Sequence, residues 1–194
     1  MGTSVATAST VFVVSGLPRS GTSMMMRMLA EGGAPLLVDE QRAADSDNPR
    51  GYFELEAVKG TARDASWIAH APGRCVKVIS TLLPHLPAEC DYRVLLMRRN
   101  VDQIVRSQRA MLERLGTTPA GEDDSVARVS QLEHLVELES WLATARHMKV
   151  LGVSYERVLA QPDKEIERIL GFLELDLDAA AMRRAVEPAL QRQK

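Results

Sequence analysis

Two groups of residues in this sequence have the types and spacing to hold phosphate. The first is Gly16-Leu17-Pro18-Arg19-Ser20-Gly21-Thr22-Ser23, set between a β-branched run and a stretch of helical periodicity. Where a strand turns through glycines into a helix, the first helical N–H groups lack intrahelical acceptors and the positive end of the dipole faces out, which favours an anion. Arg19 adds a full charge inside the loop. The loop departs from the triphosphatase pattern G-x-x-x-x-G-K-[ST]: Thr22 stands where that pattern has Lys, and no apparent strand ends in an Asp suited to Mg²⁺. Both differences count against ATPase, GTPase and kinase chemistry. The second group is Arg99, just after another apolar run, with Ser107 in the stretch that follows. A guanidinium offers a planar fork of donors to a dianionic phosphate, and a serine two helical turns further on can turn its hydroxyl to the same group.

The elements that would position these groups follow from apolar periodicity. Residues 10–15 read as a buried strand, and Met24, Met25, Met28 and Leu29 recur at helical spacing over 20–31, before a Gly32-Gly33 stop. The cluster Met24, Met25, Met26 and Met28 reads as core packing of that helix rather than as a pliable acceptor pocket. Residues 39–52, containing Asn48-Pro49-Arg50-Gly51, are expected to form an exposed loop before a helix over about 54–69. Short apolar runs at 75–79, 93–97 and 148–153 are further strands. A helix over 101–115 would bury Ile104, Val105, Met111 and Leu112, and residues 116–124 read as a mobile loop. A longer helix over 125–147 would bury Val126, Val129, Leu132, Leu135, Val136, Trp141 and Leu142 as one stripe, and short helices follow over 166–173 and 179–186. The alternation of strands and helices predicts an α/β fold, a three-layer α/β/α arrangement around a central parallel sheet of four to five strands, of the P-loop-containing nucleotide-binding type. Residues 1–9 would be a flexible tail and 10–194 a single domain.

Both phosphate groups resemble motifs of the sulfotransferases that use 3′-phosphoadenosine 5′-phosphosulfate (PAPS). Pro18-Arg19-Ser20-Gly21-Thr22 is similar to the family's phosphosulfate loop, Pro-Lys/Arg-Ser/Thr-Gly-Thr. Arg98-Arg99-Asn100-Val101-Asp102 with Ser107 is similar to its 3′-phosphate motif, Arg-Asn-Pro-x-Asp plus a serine, with Val101 in place of the proline. A third segment, Tyr155-Glu156-Arg157-Val158-Leu159 with Pro162 and Ile169-Leu170-Gly171-Phe172-Leu173, resembles the family's Tyr-Glu-Asp-Leu, Pro and Phe-Leu-Gly sequence. The matches run in order from Val11 to Leu173.

The resemblance implies a sulfotransferase that moves the sulfuryl group from PAPS to a hydroxyl or amine and releases 3′,5′-bisphosphoadenosine (PAP), with no metal. Pro18, Arg19, Ser20, Gly21, Thr22, Ser23, Arg99, Ser107 and Tyr155 would bind the nucleotide, Arg19 at the 5′-phosphate and bridging oxygen and Tyr155 beside the adenine. Small-molecule members carry a strand Lys followed two residues later by a catalytic His; this chain has Lys77 but Ile79. Relatives with acidic bases use a Glu instead. Asn48-Pro49-Arg50-Gly51-Tyr52-Phe53-Glu54 resembles an Asn-Pro-x-Gly-x-x-Glu segment of bacterial relatives, which makes Glu54 the expected base, with Lys77 and Arg19 completing the catalytic set. Glu56 and His85 stand in reserve, and His70 reads as a loop residue.

Composition bounds the partners. The 194 residues carry 24 Lys and Arg against 26 Asp and Glu, a net charge of −2, so nucleotide binding must be local and a nucleic-acid surface is not expected. Cys75 and Cys90 are too few for a disulfide framework and have no zinc-site spacing, so a reducing cytoplasm is expected. No signal-peptide pattern or membrane-spanning run is read. The acceptor is expected to be a small molecule or carbohydrate, and a homodimer is one way to complete a shallow acceptor site. Two alternatives stay open, a phosphate-loop kinase and a non-catalytic PAPS/PAP-binding module, the latter favoured by Ile79.

Overall fold

A computed structural model of the chain describes residues 9–39, 53–114, 116 and 123–186. Four strands, β1 (Val11–Gly16), β2 (Cys75–Lys77), β3 (Tyr92–Arg98) and β4 (Met148–Ser154), form one sheet in the order β2-β1-β3-β4, with every neighbouring pair parallel. β1 is buried along its whole length and β3 up to Met97, which explains why both read as continuous apolar runs rather than alternating ones. Their side chains still divide by period two. Phe12, Val14, Leu95 and Met97 face a core closed by α1 (Thr22–Glu31), α4 (Tyr155–Ala160), α5 (Pro162–Leu173) and α6 (Ala179–Ala185). Val11, Val13, Val94 and Leu96 face a second core, closed by Trp67, Ile68, Leu83 and Leu138. The fold is therefore three-layered, with α2 (Val101–Arg114) and α3 (Asp124–Leu142) forming the crossover from β3 to β4.

Strand order also selects the position of a site. The chain leaves β1 toward β2 on one side and leaves β3 toward β4 on the other, so a crevice opens between the carboxyl ends of β1 and β3. In open parallel sheets that reversal point is where ligands bind. Registry brings the ends together: Gly16 pairs with Met97, and Arg98 with Ser154.

Two expectations are corrected. Residues 54–69 do not form an α-helix; they form two 3₁₀ helices, Glu56–Gly60 and Ser66–His70. Local side-chain bonds compete with the helix: Thr61 Oγ1 donates to the Val58 carbonyl and accepts from Trp67 Nε1, while Asp64 Oδ1 accepts from Ser66 N and restarts the chain. The second concerns α3, which ends at Leu142 and whose apolar residues lie on two opposite faces. Leu138 is buried, but Val126 and Val136 are 64% and 66% exposed, and Val129 and Leu132 also face outward. Gln131 and His134 turn inward with Leu138 and make the contacts described below. The four methionines of α1 are all core residues, as their spacing suggested.

Candidate active site

β1 ends at Gly16, whose φ of 148 and surroundings leave no room for a side chain: a Cβ would lie 2.5 Å from Ser20 Oγ and 2.8 Å from the Met97 carbonyl oxygen. Arg19 takes the left-handed conformation, φ 72, at a cost of about 1–2 kcal/mol for a residue with a Cβ. Two contacts hold it there. Arg99 Nη1 donates to the Arg19 carbonyl at 3.1 Å, and Arg19 Nε donates to Ser107 Oγ at 2.9 Å. Gly21, φ 104, then caps α1 without offering a side chain to its first N–H groups. A Cβ on Gly21 would meet Tyr155 Cδ2 at 2.6 Å, so the ring of Tyr155 rests against the loop. Ser20 Oγ is buried with no hydrogen-bond partner among the described residues.

The rim of β3 faces this loop. The Arg99 guanidinium lies 4.4 Å from the centre of the Tyr155 ring, and its Nε donates to Gln103 Oε1 at 3.1 Å. Burial lowers its pKa, a shift that Tyr155 and Glu156 oppose, and a guanidinium remains charged at neutral pH. Burial likewise raises the Tyr155 phenol, with Arg99 opposing it, so the phenol stays neutral. Glu156 Oε1 accepts from Asn100 N at 3.1 Å and ties α4 to the start of α2. From the other side, Gln131 Nε2 of α3 donates to Gln108 Oε1 at 2.6 Å, and Gln108 Nε2 donates to the Pro18 carbonyl at 3.3 Å.

A second cluster lies where β2 ends. Lys77 Nζ stands 2.9 Å from Glu54 Oε1 and 3.5 Å from Ser23 Oγ in the first turn of α1. The two side chains of the ion pair are 7% and 20% exposed. The Glu54 segment is fixed from behind, since its carbonyl accepts from Asp39 N while Asp39 Oδ2 accepts from Glu56 N. Ile79, past the strand end, is 38% exposed, and the next residue, Ser80, is buried with its Oγ 2.9 Å from His134 Nε2.

The structure thus gathers Pro18, Arg19, Ser20, Gly21, Thr22 and Ser23 with Arg99, Ser107 and Tyr155 at one crevice, and Glu54 with Lys77 and Ser23 beside it. Arg19, the residue expected at the 5′-phosphate, donates from Nε to Ser107 Oγ. Glu56 is not gathered: its carboxylate pairs with Lys59 at 2.6 Å on the exposed side of the 3₁₀ helix. His85 and His70 are exposed. Residues 48–52 of the Asn-Pro-x-Gly segment lie outside the described residues. Sequence reasoning missed Gln103, Gln108, Gln131 and His134. Gln103 and Gln108 were accessible through helical spacing, as the former lies one turn after Arg99 and the latter adjoins Ser107, whereas the contacts of Gln131 and His134 depend on how α3 docks. Among the described residues no group of three or more His, Cys, Asp or Glu side chains could hold a metal, and no helix is long and apolar enough to cross a membrane.

A glycine loop at the reversal point of a parallel sheet, faced by an arginine and a serine from the next strand and helix, is an α/β arrangement suited to an anion. The sulfotransferase domain family matches residues 9–193, and the chain belongs to that family. Its fold is similar to that of the sulfotransferase domain from the curacin biosynthetic pathway, with a TM-score of 0.52 and 14% identity over 91% of this chain and 77% of the other. It is also similar to mouse sulfotransferase SULT7A1 complexed with PAP, with a TM-score of 0.55 and 19% identity, covering 92% of this chain. The match spans 63% of the mouse protein's chain. Comparison with curated proteins gave no match.

Proposed function

We propose that the chain transfers the sulfuryl group of PAPS to a hydroxyl or amine of a small-molecule or carbohydrate acceptor, with Glu54 as the general base. The observation that carries this reading is the convergence of Arg19, Arg99 and Ser107 beside an uncapped helix N-terminus, with Tyr155 against both the loop and Arg99. Two guanidiniums and a hydroxyl suit a dianionic phosphate, and the start of α1 suits a second anion. Within that division, Arg19, bonded to Ser107, sits nearer the group that reads a 3′-phosphate than its motif suggests. A flat aromatic ring beside the loop suits a purine base. The residues therefore fit PAPS and its product PAP, and the PAP held by the mouse relative is consistent with that fit.

For transfer, the acceptor oxygen or nitrogen attacks sulfur as the bond from sulfur to the bridging phosphate oxygen breaks, and that oxygen leaves with the electron pair on PAP. Glu54 accepts the acceptor's proton. Lys77 holds Glu54 in place at 2.9 Å and, through Ser23, lies next to the loop where negative charge grows on the leaving phosphate. The non-catalytic alternative draws on Ile79, which leaves the strand position without a histidine; the Glu54–Lys77 pair is the feature that favours turnover.

The test is calorimetric titration with PAP, with ATP and Mg²⁺ as the parallel ligand. Selective binding of PAP supports the reading and justifies an acceptor screen. Preference for ATP with Mg²⁺ would replace it with a kinase.

A further inference from the structure

Glu165 is the one charged residue that is 0% exposed among the described residues, and the chemistry outlined above does not use it. It sits in the first turns of α5, and two arginines neutralise it. Arg168 Nη1 donates to Oε2, and Arg157 Nη2 stands 2.7 Å from Oε1 as a charge pair without the alignment of a hydrogen bond. A carboxylate without exposure is costly unless it is paired, so both arginines are held to it. Arg168 also reaches the carbonyl of Gly152 in β4. The other arginine matters more, because Arg157 belongs to α4.

α4 has only six residues, too short to persist without tertiary support. It nevertheless presents two groups to the crevice. Tyr155 supplies the ring over Arg99 and against Gly21, and Glu156 accepts from Asn100 N, next to Arg99. Arg157, one residue further on, is the tether of the same helix to the buried carboxylate. Shifting α4 would move the Tyr155 ring and release both Arg99 and the loop.

We propose that Glu165 is a positioning residue for the nucleotide site, acting through Arg157 to fix α4 and so the Tyr155 ring against Arg99. The inference rests on the nucleotide reading given above. It assigns the buried Arg157–Glu165–Arg168 group a role in ligand affinity rather than in folding alone.

Arg157 is 59% exposed, so Arg157→Ala removes the tether without opening the core. PAP affinity, measured by calorimetry on the full chain, should fall about threefold to thirtyfold, the range seen when a residue acts on a site through its neighbours. Arg157→Lys should recover most of the loss, and Glu165→Gln should reproduce it if the protein folds. In a Tyr155→Ala background, Arg157→Ala should cost nothing further, because its path is already broken. A merely structural role would lower urea stability and leave that double variant additive. Unchanged PAP affinity in Arg157→Ala, or additivity with Tyr155→Ala, overturns the inference while wild-type binding still upholds the nucleotide reading. A wild type that does not bind PAP overturns both.

Discussion

Replacing Glu54 by Gln changes one charge at a site where the structure fixes what the change should cost. The carboxylate and the Lys77 ammonium are 2.9 Å apart, and at an effective dielectric of about 20 their gross attraction is about 6 kcal/mol before desolvation is counted. Removing one partner of a fully buried pair costs roughly 3–5 kcal/mol, because the remaining charge loses its compensation. Here Lys77 is 7% exposed but Glu54 is 20% exposed, so water can partly replace the lost carboxylate. A stability loss of about 2 kcal/mol is expected for Glu54→Gln, and a similar one for Lys77→Met. The double variant should lose less than the sum, with a coupling of about 2 kcal/mol, measured by urea denaturation of all four proteins. Turnover should separate from binding. A general base is worth about 100-fold to 10,000-fold in rate, so on the proposed reading Glu54→Gln should lose that much while PAP affinity, which that reading assigns to Arg19, Arg99 and Ser107, changes little. Turnover retained within tenfold of wild type would refute Glu54 as the base. Additive stabilities would refute the pair as a coupled unit.

Three further outcomes test other parts of the structure. Arg99→Ala should weaken PAP by about 10- to 150-fold, the loss of charge-assisted bonds worth roughly 1.5–3 kcal/mol, and weaken AMP far less; equal losses in a titration would remove Arg99 from the 3′-phosphate. Gly21→Ala should cost about 1–3 kcal/mol in urea stability, because φ is 104 and the new Cβ meets Tyr155 at 2.6 Å. Tyr155→Ala in that background should recover the steric part only. Cys75, whose thiol burial pushes up to about 12 from 9.0, should hold about a thousandfold less thiolate than an ordinary thiol at pH 8, so a thiol reagent should find Cys90 first and Cys75 only on unfolding. The sign for stability follows: below pH 9 the contribution is intact, and from there to about pH 12 the unfolded thiol ionises first, lowering stability by up to about 1.4 kcal/mol per unit. Cys75→Ala should flatten the alkaline limb of the stability curve by that amount.

What the sequence made legible is what depends on near neighbours in the chain. The loop between β1 and α1 needs only Gly16 and Gly21 at fixed places between a strand and a helix, and both glycines are required by backbone geometry that the sequence can signal. β1 and β3, buried on both faces, announce themselves as apolar runs. Residues 54–69 misled because Gly60, Thr61 and Asp64 offer side-chain and turn contacts that outcompete a helix with few buried residues; Val58, Trp67 and Ile68 are the buried ones in its two 3₁₀ pieces. α3 misled for a different reason. Its apolar residues lie on two sides, and periodicity does not say which side meets the protein when Leu138 and the polar Gln131 and His134 share the inner face. The inward glutamine and histidine find partners on α2 and after β2, contacts that no local pattern encodes.

The Arg19–Ser107 bond bears on how binding and chemistry divide. Had Arg19 faced Lys77, the cations would have gathered around the group being transferred, and any one substitution would have disturbed both affinity and rate. Instead two guanidiniums collect on the β3 side of the loop, while Lys77 and Glu54 stand on the β2 side, joined to the loop through Ser23. On the proposed reading, nucleotide affinity belongs to the first side and proton transfer to the second. The leaving phosphate is then served mainly by the start of α1, whose donors are fixed backbone and need no reorganisation. It follows that substitutions at Arg99 or Ser107 should act on nucleotide KM, those at Glu54 or Lys77 on kcat, and those at Gly21, which carries the turn between the two sides, on both.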